Sequence, residues 1–236
     1  MFSSDRKPRL HLAVREGDEI AGSLHESLIT LLDPYSPASE AYRALRTNLL
    51  YAFPDSPPKV IVVTSHGDRE GKSTTCANLG VLLAQVRKSV LLLDCDMRNP
   101  PEHKIFGSRT PTGLADVLTG KQSLRDVWQE PLPGLKVLAA GDPPRNPAEL
   151  LSTKRFAELV GEVRQQFDFV LVDTPSVEQT TDPIIVSAHA DGVLFVVDAQ
   201  NTRKSAVRQG LHSLETVGAN VLATVLNNVD ASNYGR

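Results

Sequence analysis

Between Thr64 and Gly80 the chain reads TSHGDREGKSTTCANLG, and the run Gly71-Lys72-Ser73-Thr74 inside it has the residue types for phosphate chemistry. Glycine lets backbone approach an anion, lysine reaches the β- and γ-phosphates of a nucleotide, and a serine hydroxyl can bind Mg²⁺. His66 stands where the strict pattern wants its first glycine. Context supports the reading nonetheless. KVIVVTS before the loop suits a buried strand, and a helical stretch follows, so the loop amides and the helix N-terminus face one anion.

Two further stretches end apolar runs in carboxylates. VLLLDCDMR carries Asp94 and Asp96, and FVLVDTP carries Asp173. Residues separated by one share a side of a strand, so Asp94 and Asp96 are expected to address one metal, with Arg98 as a nearby cation. Asp173 holds the place of a Walker B aspartate. Each carboxylate emerges at the carboxyl edge of the expected sheet, where open α/β folds bind ligands.

The elements that must position these groups alternate. From Lys59 onward KVIVVTS, VLLLDCD, LKVLAAG, DFVLVDT, DGVLFVVDA and NVLATVLNN are compact and rich in valine and leucine, as strands buried on both faces are. Helical candidates lie near residues 73 to 87, 147 to 166, 182 to 189 and 203 to 217, giving the alternation of a mostly parallel sheet. At NPAE, Asn146 can cap, Pro147 takes the first helical position and Glu149 closes a capping box. Upstream, SPASEAYRALRTNLLYAF reads as a helix capped by Ser36, with Ala41, Tyr42, Leu45 and Leu49 on one face, and PDSPP ends it. The expected fold class is α/β, three-layered, with a mostly parallel central sheet flanked by helices. Residues 1–35 read as a loosely ordered arm, 36–230 as one domain with its first helix over 37–52, and 231–236 as a short tail.

Composition narrows the function classes. The 236 residues carry a formal charge of -3, with 41% hydrophobic and 22% charged residues, which speaks against a broad basic surface for nucleic acid. The two cysteines, Cys76 and Cys95, lack metal or redox spacing and fit a reducing cytoplasm as small buried hydrophobes. No apolar run approaches the roughly 18 residues of a membrane span, and the first residues lack a signal peptide's apolar centre. A cytoplasmic protein, peripheral to a membrane only through a partner, is the expectation.

These motifs together resemble the bacterial tyrosine kinases of capsule and exopolysaccharide synthesis, within the deviant-Walker P-loop ATPases. The resemblance rests on the Walker A loop at Gly71 to Thr74, an hhhDxDxR segment at Leu91 to Arg98 and the Walker B segment at Val170 to Pro175. It extends through EAYRALRTNL, GLADVLTGKQSL, PRNPAELL, TDPIIVSAHADGVLFVV and VLNNVD, covering about Asp33 to Asp230. It implies a P-loop NTPase fold, ATP and Mg²⁺. Nucleotide contacts would come from Gly67, Asp68, Arg69, Glu70, Gly71, Lys72, Ser73, Thr74 and Asn227. Ser73, Asp94, Asp96 and Asp173 would form the metal shell, and Lys72, Asp94 and Asp96 the catalytic set, with Asp94 as base toward a tyrosine hydroxyl. Glu40, Arg43 and Arg46 match the family's ExxRxxR interface pattern; helical spacing sets them about 60° apart, on a stripe available to a neighbouring chain. The implied partners are further copies in a ring-like oligomer, a membrane polysaccharide co-polymerase adaptor and a protein tyrosine.

Two departures matter. Arg69 stands where the family carries glycine, so it either strains the loop or adds charge near the phosphates. The tail DASNYGR offers only Tyr234 as phosphoacceptor where relatives cluster tyrosines; Tyr35, Tyr42 and Tyr51 are less favoured, Tyr42 being on the apolar helix face. The sparse tail leaves a second reading open, a nucleotide-switched ATPase resembling partition or septum-site proteins, with water as acceptor. Those proteins carry an extra lysine early in the loop, where this chain reads Ser65-His66-Gly67.

Overall fold

The computed structural model describes residues 25–55, 57–100, 102–107 and 111–230. Tyr234, the tail 231–236 and residues 1–24 of the expected arm lie outside the described residues. Helices α1 (Ile29–Leu32) and α2 (Pro37–Tyr51) precede strand β1 (Val60–Ser65), α3 (Lys72–Gln85) and β2 (Val90–Asp94). Three short helices follow, α4 (Glu102–Ile105), α5 (Leu114–Leu118) and α6 (Leu124–Val127), then β3 (Gln129–Leu132) and β4 (Leu135–Leu138). The remainder is α7 (Pro147–Leu151), α8 (Lys154–Gln166), β5 (Phe169–Asp173), α9 (Asp182–Ser187), β6 (Gly192–Asp198), α10 (Lys204–Glu215) and β7 (Val221–Asn227).

Seven strands form one sheet in the order β3-β4-β2-β5-β1-β6-β7, parallel except where β3 runs against β4. Every residue of β1, β2 and β5 is buried, which their unbroken Val/Leu/Ile runs anticipate. Alternate residues serve opposite faces. Val60, Val62, Leu91, Leu93, Val170 and Val172 pack with Leu114, Phe156, Val186 and Leu214 from α5, α8, α9 and α10. Ile61, Val63, Leu92 and Leu171 pack with Leu31, Leu49 and Leu79 from α1, α2 and α3. The three-layer α/β expectation is thus realised, and the apolar layers fix where the strand ends emerge.

Several boundaries shift, each for a local reason. The sequence reading passes over β3, because QEPL has no apolar run; its Pro131 is tolerated since β3 is an edge strand. The helical stretch 147 to 166 divides at Thr153, whose side chain accepts from Phe156 N and starts α8 anew. Asn146 precedes α7 but makes no side-chain cap bond. NVLATVLNN is not buried on both faces: β7 is the other edge strand, and its Leu226 is 61% exposed.

The loose arm expected through residue 35 is corrected from His25 onward. Leu28 and Leu31 are buried against α3, and Asn78 of α3 clasps the segment through polar bonds. Its Oδ1 accepts from Thr30 N (3.0 Å) and Thr30 Oγ1 (2.8 Å), while its Nδ2 donates to Ser27 O and Thr74 O, each at 2.8 Å. A buried amide satisfied on both ends holds α1 to the helix that begins at Lys72.

Candidate active site

The loop after β1 folds onto itself. Gly67 N donates to the buried Glu70 Oε1 at 2.9 Å, and Ser65 Oγ donates to Gly67 O at 2.6 Å. Lys72 is 6% exposed and its Nζ lies 3.4 Å from the same Gly67 carbonyl, so the ammonium is held over the loop. Gly71 has φ 94°, and a Cβ there would fall 2.0 Å from Asn227 Nδ2. That amide donates to Glu70 O at 3.0 Å. The end of β7 is therefore wedged against the loop, and only glycine fits between them.

Arg69 is exposed with φ 57°, in the left-handed region. The glycine-favoured position is real, and arginine occupies it at a conformational cost. Asp68 beside it is also exposed. His66 directly follows β1 and is buried, with Nε2 3.9 Å from Glu178 Oε1; Glu178 N donates to its carbonyl.

The aspartates converge because β2 pairs with β5. Asp94 and Asp173 are partners in register, both fully buried. Asp94 Oδ1 accepts from Asp96 N at 3.0 Å. Neither carboxylate oxygen of Asp173 has a hydrogen-bond partner of good geometry. Burial pushes its pKa up to about 7, although the Ser73 hydroxyl and the Lys72 ammonium pull it down. Asp96 is also raised by burial, partly offset by the backbone amides of Asn99 and Arg98, which donate to its Oδ1 at 3.0 and 3.3 Å. Between them the Cys95 thiol is pushed well up by burial and then by Asp94 and Asp173, so it stays a neutral hydrophobe.

A buried carboxylate with unmet oxygens, beside a lysine and a hydroxyl, suits a divalent cation. Asp173 and Ser73 therefore fit Mg²⁺. Asp94 and Asp96 do not share a strand face as expected: β2 ends at Asp94, and Asp96 sits on the turn beyond. Among the described residues no three His, Cys, Asp or Glu side chains form a metal-holding group. Mg²⁺ tolerates few protein ligands, since it keeps waters and phosphate oxygens among its ligands. Arg98 is not a loose cation either. Its Nε and Nη2 donate to Asp182 at 3.2 and 3.5 Å. Nothing local in TDPIIVSAHADGVLFVV marks Asp182 for this contact, because an acidic residue opening a helix is an ordinary first-turn residue.

Two cavities flank the loop. One of about 780 Å³ is lined by Thr74 and Thr75 of α3, Asn227 at the end of β7 and Asn228 just beyond it, and Tyr42 and Leu45 of α2. A smaller polar one of about 290 Å³ is lined by His66, Glu70, Glu178, Asp198 and Arg203. On α2, Glu40 and Arg43 pair with each other at 3.0 Å, and Arg43 Nη2 donates to Pro34 O at 2.6 Å. Arg46 Nε is buried without a partner. Of the tyrosines described, Tyr35 is 90% and Tyr51 76% exposed, while Tyr42 is half-buried.

A parallel sheet whose first strand feeds a glycine-lysine-serine loop, with aspartates at the ends of two neighbouring strands, defines a P-loop nucleotide-binding protein of the α/β class. A family model described as an AAA domain matches residues 58–227. The tyrosine-protein kinase YwqD of Bacillus subtilis is 37% identical over 212 residues, covering 89% of this chain and 90% of its own. The tyrosine-protein kinase wzc of Salmonella typhimurium is 35% identical over 86% of this chain, which spans 28% of that longer protein. Among solved structures, the chimerical protein CapA2B2 superposes with a TM-score of 0.83 at 37% identity, covering 87% of this chain and 91% of its own. The septum site-determining protein MinD of Pyrococcus horikoshii, complexed with Mg-ADP, shares the fold at a TM-score of 0.62 and 22% identity, over 75% of this chain and 71% of its own. The chain belongs to the bacterial tyrosine-protein kinase family.

Proposed function

We propose that the protein transfers the γ-phosphoryl group of ATP to tyrosine, including tyrosine on neighbouring copies of itself, and so regulates capsular or exopolysaccharide synthesis through a membrane adaptor. The observation that carries the chemistry is the pairing of Asp94 with Asp173 next to Lys72: two buried carboxylates and a buried lysine at one sheet edge. The loop amides and Lys72 would bind and neutralise the phosphates, Lys72 leaving the Gly67 carbonyl to do so. Bound Mg²⁺, held by Ser73 and Asp173 with Asp94 or Asp96, would supply charge neutralisation at the transferring phosphate. Asp94 accepts the phenol proton as the tyrosine oxygen bonds to phosphorus, the bond to the bridging oxygen breaks and ADP leaves. Burial of the carboxylates keeps water from competing.

The wider reading is consistent with the surface. No helix among the described residues is long and apolar enough to cross a membrane. The Glu40, Arg43 and Arg46 stripe would face a second copy in a ring-like assembly, and Tyr234 would be the acceptor. A formal charge of -3 gives no reason to invoke nucleic acid. The switch-ATPase alternative keeps one supporting feature, the single tyrosine in the tail. Incubation with γ-labelled ATP and Mg²⁺, with and without an adaptor tail, separates the two. Label on tyrosine that vanishes in Lys72→Met and falls in Tyr234→Phe is expected; phosphate release with no labelled protein selects the switch.

A further inference from the structure

We propose that Asp182 is a positioning residue for phosphoryl transfer: through Arg98 it holds the turn that places Asp96 beside the nucleotide loop. This rests on the nucleotide-dependent reading of the site above. The turn after β2 is built by three backbone bonds, Asp96 N to Asp94 Oδ1, and Arg98 N and Asn99 N to Asp96 Oδ1. Arg98 closes it by reaching both carboxylate oxygens of Asp182 with two guanidinium nitrogens. A planar fork on a planar carboxylate fixes direction as well as distance. Asp182 is fully buried at the first position of α9, whose Val186 is buried in the core beneath the sheet. The turn is thereby tied to a rigid element rather than to solvent.

Charge explains why a pair, and not an apolar contact, sits here. Asp94, Asp96, Asp173 and Asp182 all act on the Cys95 thiol, so four carboxylates share one region. A fourth carboxylate there would oppose ionisation of the other three unless neutralised, and Arg98 neutralises it. Arg98 is 43% exposed at its side chain while Asp182 is buried completely. Such pairs add little net stability over apolar packing, so orientation is what this one contributes. Asp182 touches no reacting atom. It acts through Arg98 on the metal-side turn.

The test measures phosphotyrosine formation, ATP hydrolysis and the half-saturating Mg²⁺ concentration in the full chain. Loss of an outer partner to a metal site costs on the order of 10- to 100-fold. Asp182→Asn should raise half-saturating Mg²⁺ about tenfold and lower kcat similarly, with KM for ATP at saturating Mg²⁺ moved less than about threefold. Asp182→Glu should recover part of the loss. The double variant Arg98→Ala/Asp182→Asn should be no worse than Arg98→Ala alone, because both act through one contact. Unchanged Mg²⁺ dependence in Asp182→Asn, or additive losses in the double variant, would overturn the proposal. Should Asp182→Asn not fold, Arg98→Lys keeps the charge and loses the fork; a Mg²⁺ requirement equal to wild type in that variant overturns it as well. A wild type that hydrolyses ATP without labelling tyrosine removes the kinase reading alone, since the Mg²⁺ shift is still read in hydrolysis.

Discussion

At the edge of the sheet where strands begin, Asp168 and Asp191 stand just before β5 and β6. At the edge where strands end stand Asp94, Asp96 and Asp173. Asp168 takes bonds from Ser89 N and Oγ, and those bonds hold its pKa down despite some burial. Burial would push Asp191 up, but Arg164 and the amides of Lys59 and Val60 outweigh it and lower it. The opposite edge does the reverse: Asp173 has no hydrogen-bond partner of good geometry for either oxygen and is raised to about 7, and Asp96 is raised too. One residue type on one sheet is thus a structural tie where partners satisfy it, whereas at Asp173 it is left unmet and suited to a ligand.

The sharpest break in that comparison is Asp173→Asn, expected to lower phosphotyrosine formation by about 100-fold or more. Its effect on stability should have the opposite sign. The folded pKa lies above the unfolded value, so the wild type loses stability as pH rises from about 4 through about 7. Asparagine escapes that loss. Melting of the nucleotide-free protein should favour the variant at pH 8, with the gap closing near pH 4.

Asp191→Asn should invert the pattern, leaving turnover within about twofold while lowering stability by about 2 kcal/mol in denaturant titration, for the ion pair and amide bonds weakened. The Asp191 pKa is depressed, so its contribution is present above the unfolded pKa and disappears as pH falls through the folded one. A smaller effect concerns the loop itself. Arg69→Gly relieves a left-handed φ and should add about 1 kcal/mol of stability. ATP affinity, measured by titration, should hold or tighten; an affinity loss above about threefold would show that the guanidinium serves the phosphates.

Much of this is legible in the sequence. The buried strands were readable because a parallel sheet covered on both faces needs unbroken Val/Leu/Ile runs, and the loop because glycine, lysine and serine at that spacing have few other uses. The antiparallel β3 was not, since an edge strand such as QEPL carries no apolar pattern. Nor was the packing of residues 25 to 35, which depends on one asparagine 48 residues downstream of Thr30.

Local residue type and periodicity set the α/β alternation, the nucleotide loop and the placing of Asp94 and Asp173 at strand ends. Only tertiary structure decided that Asp94 and Asp173 stand side by side, that Asn227 fills the space Gly71 leaves, and that Arg98 belongs to Asp182. Those facts depend on strand order and helix placement, which bring together residues 79, 156 and 84 positions apart, and no local pattern encodes a distance across the sheet.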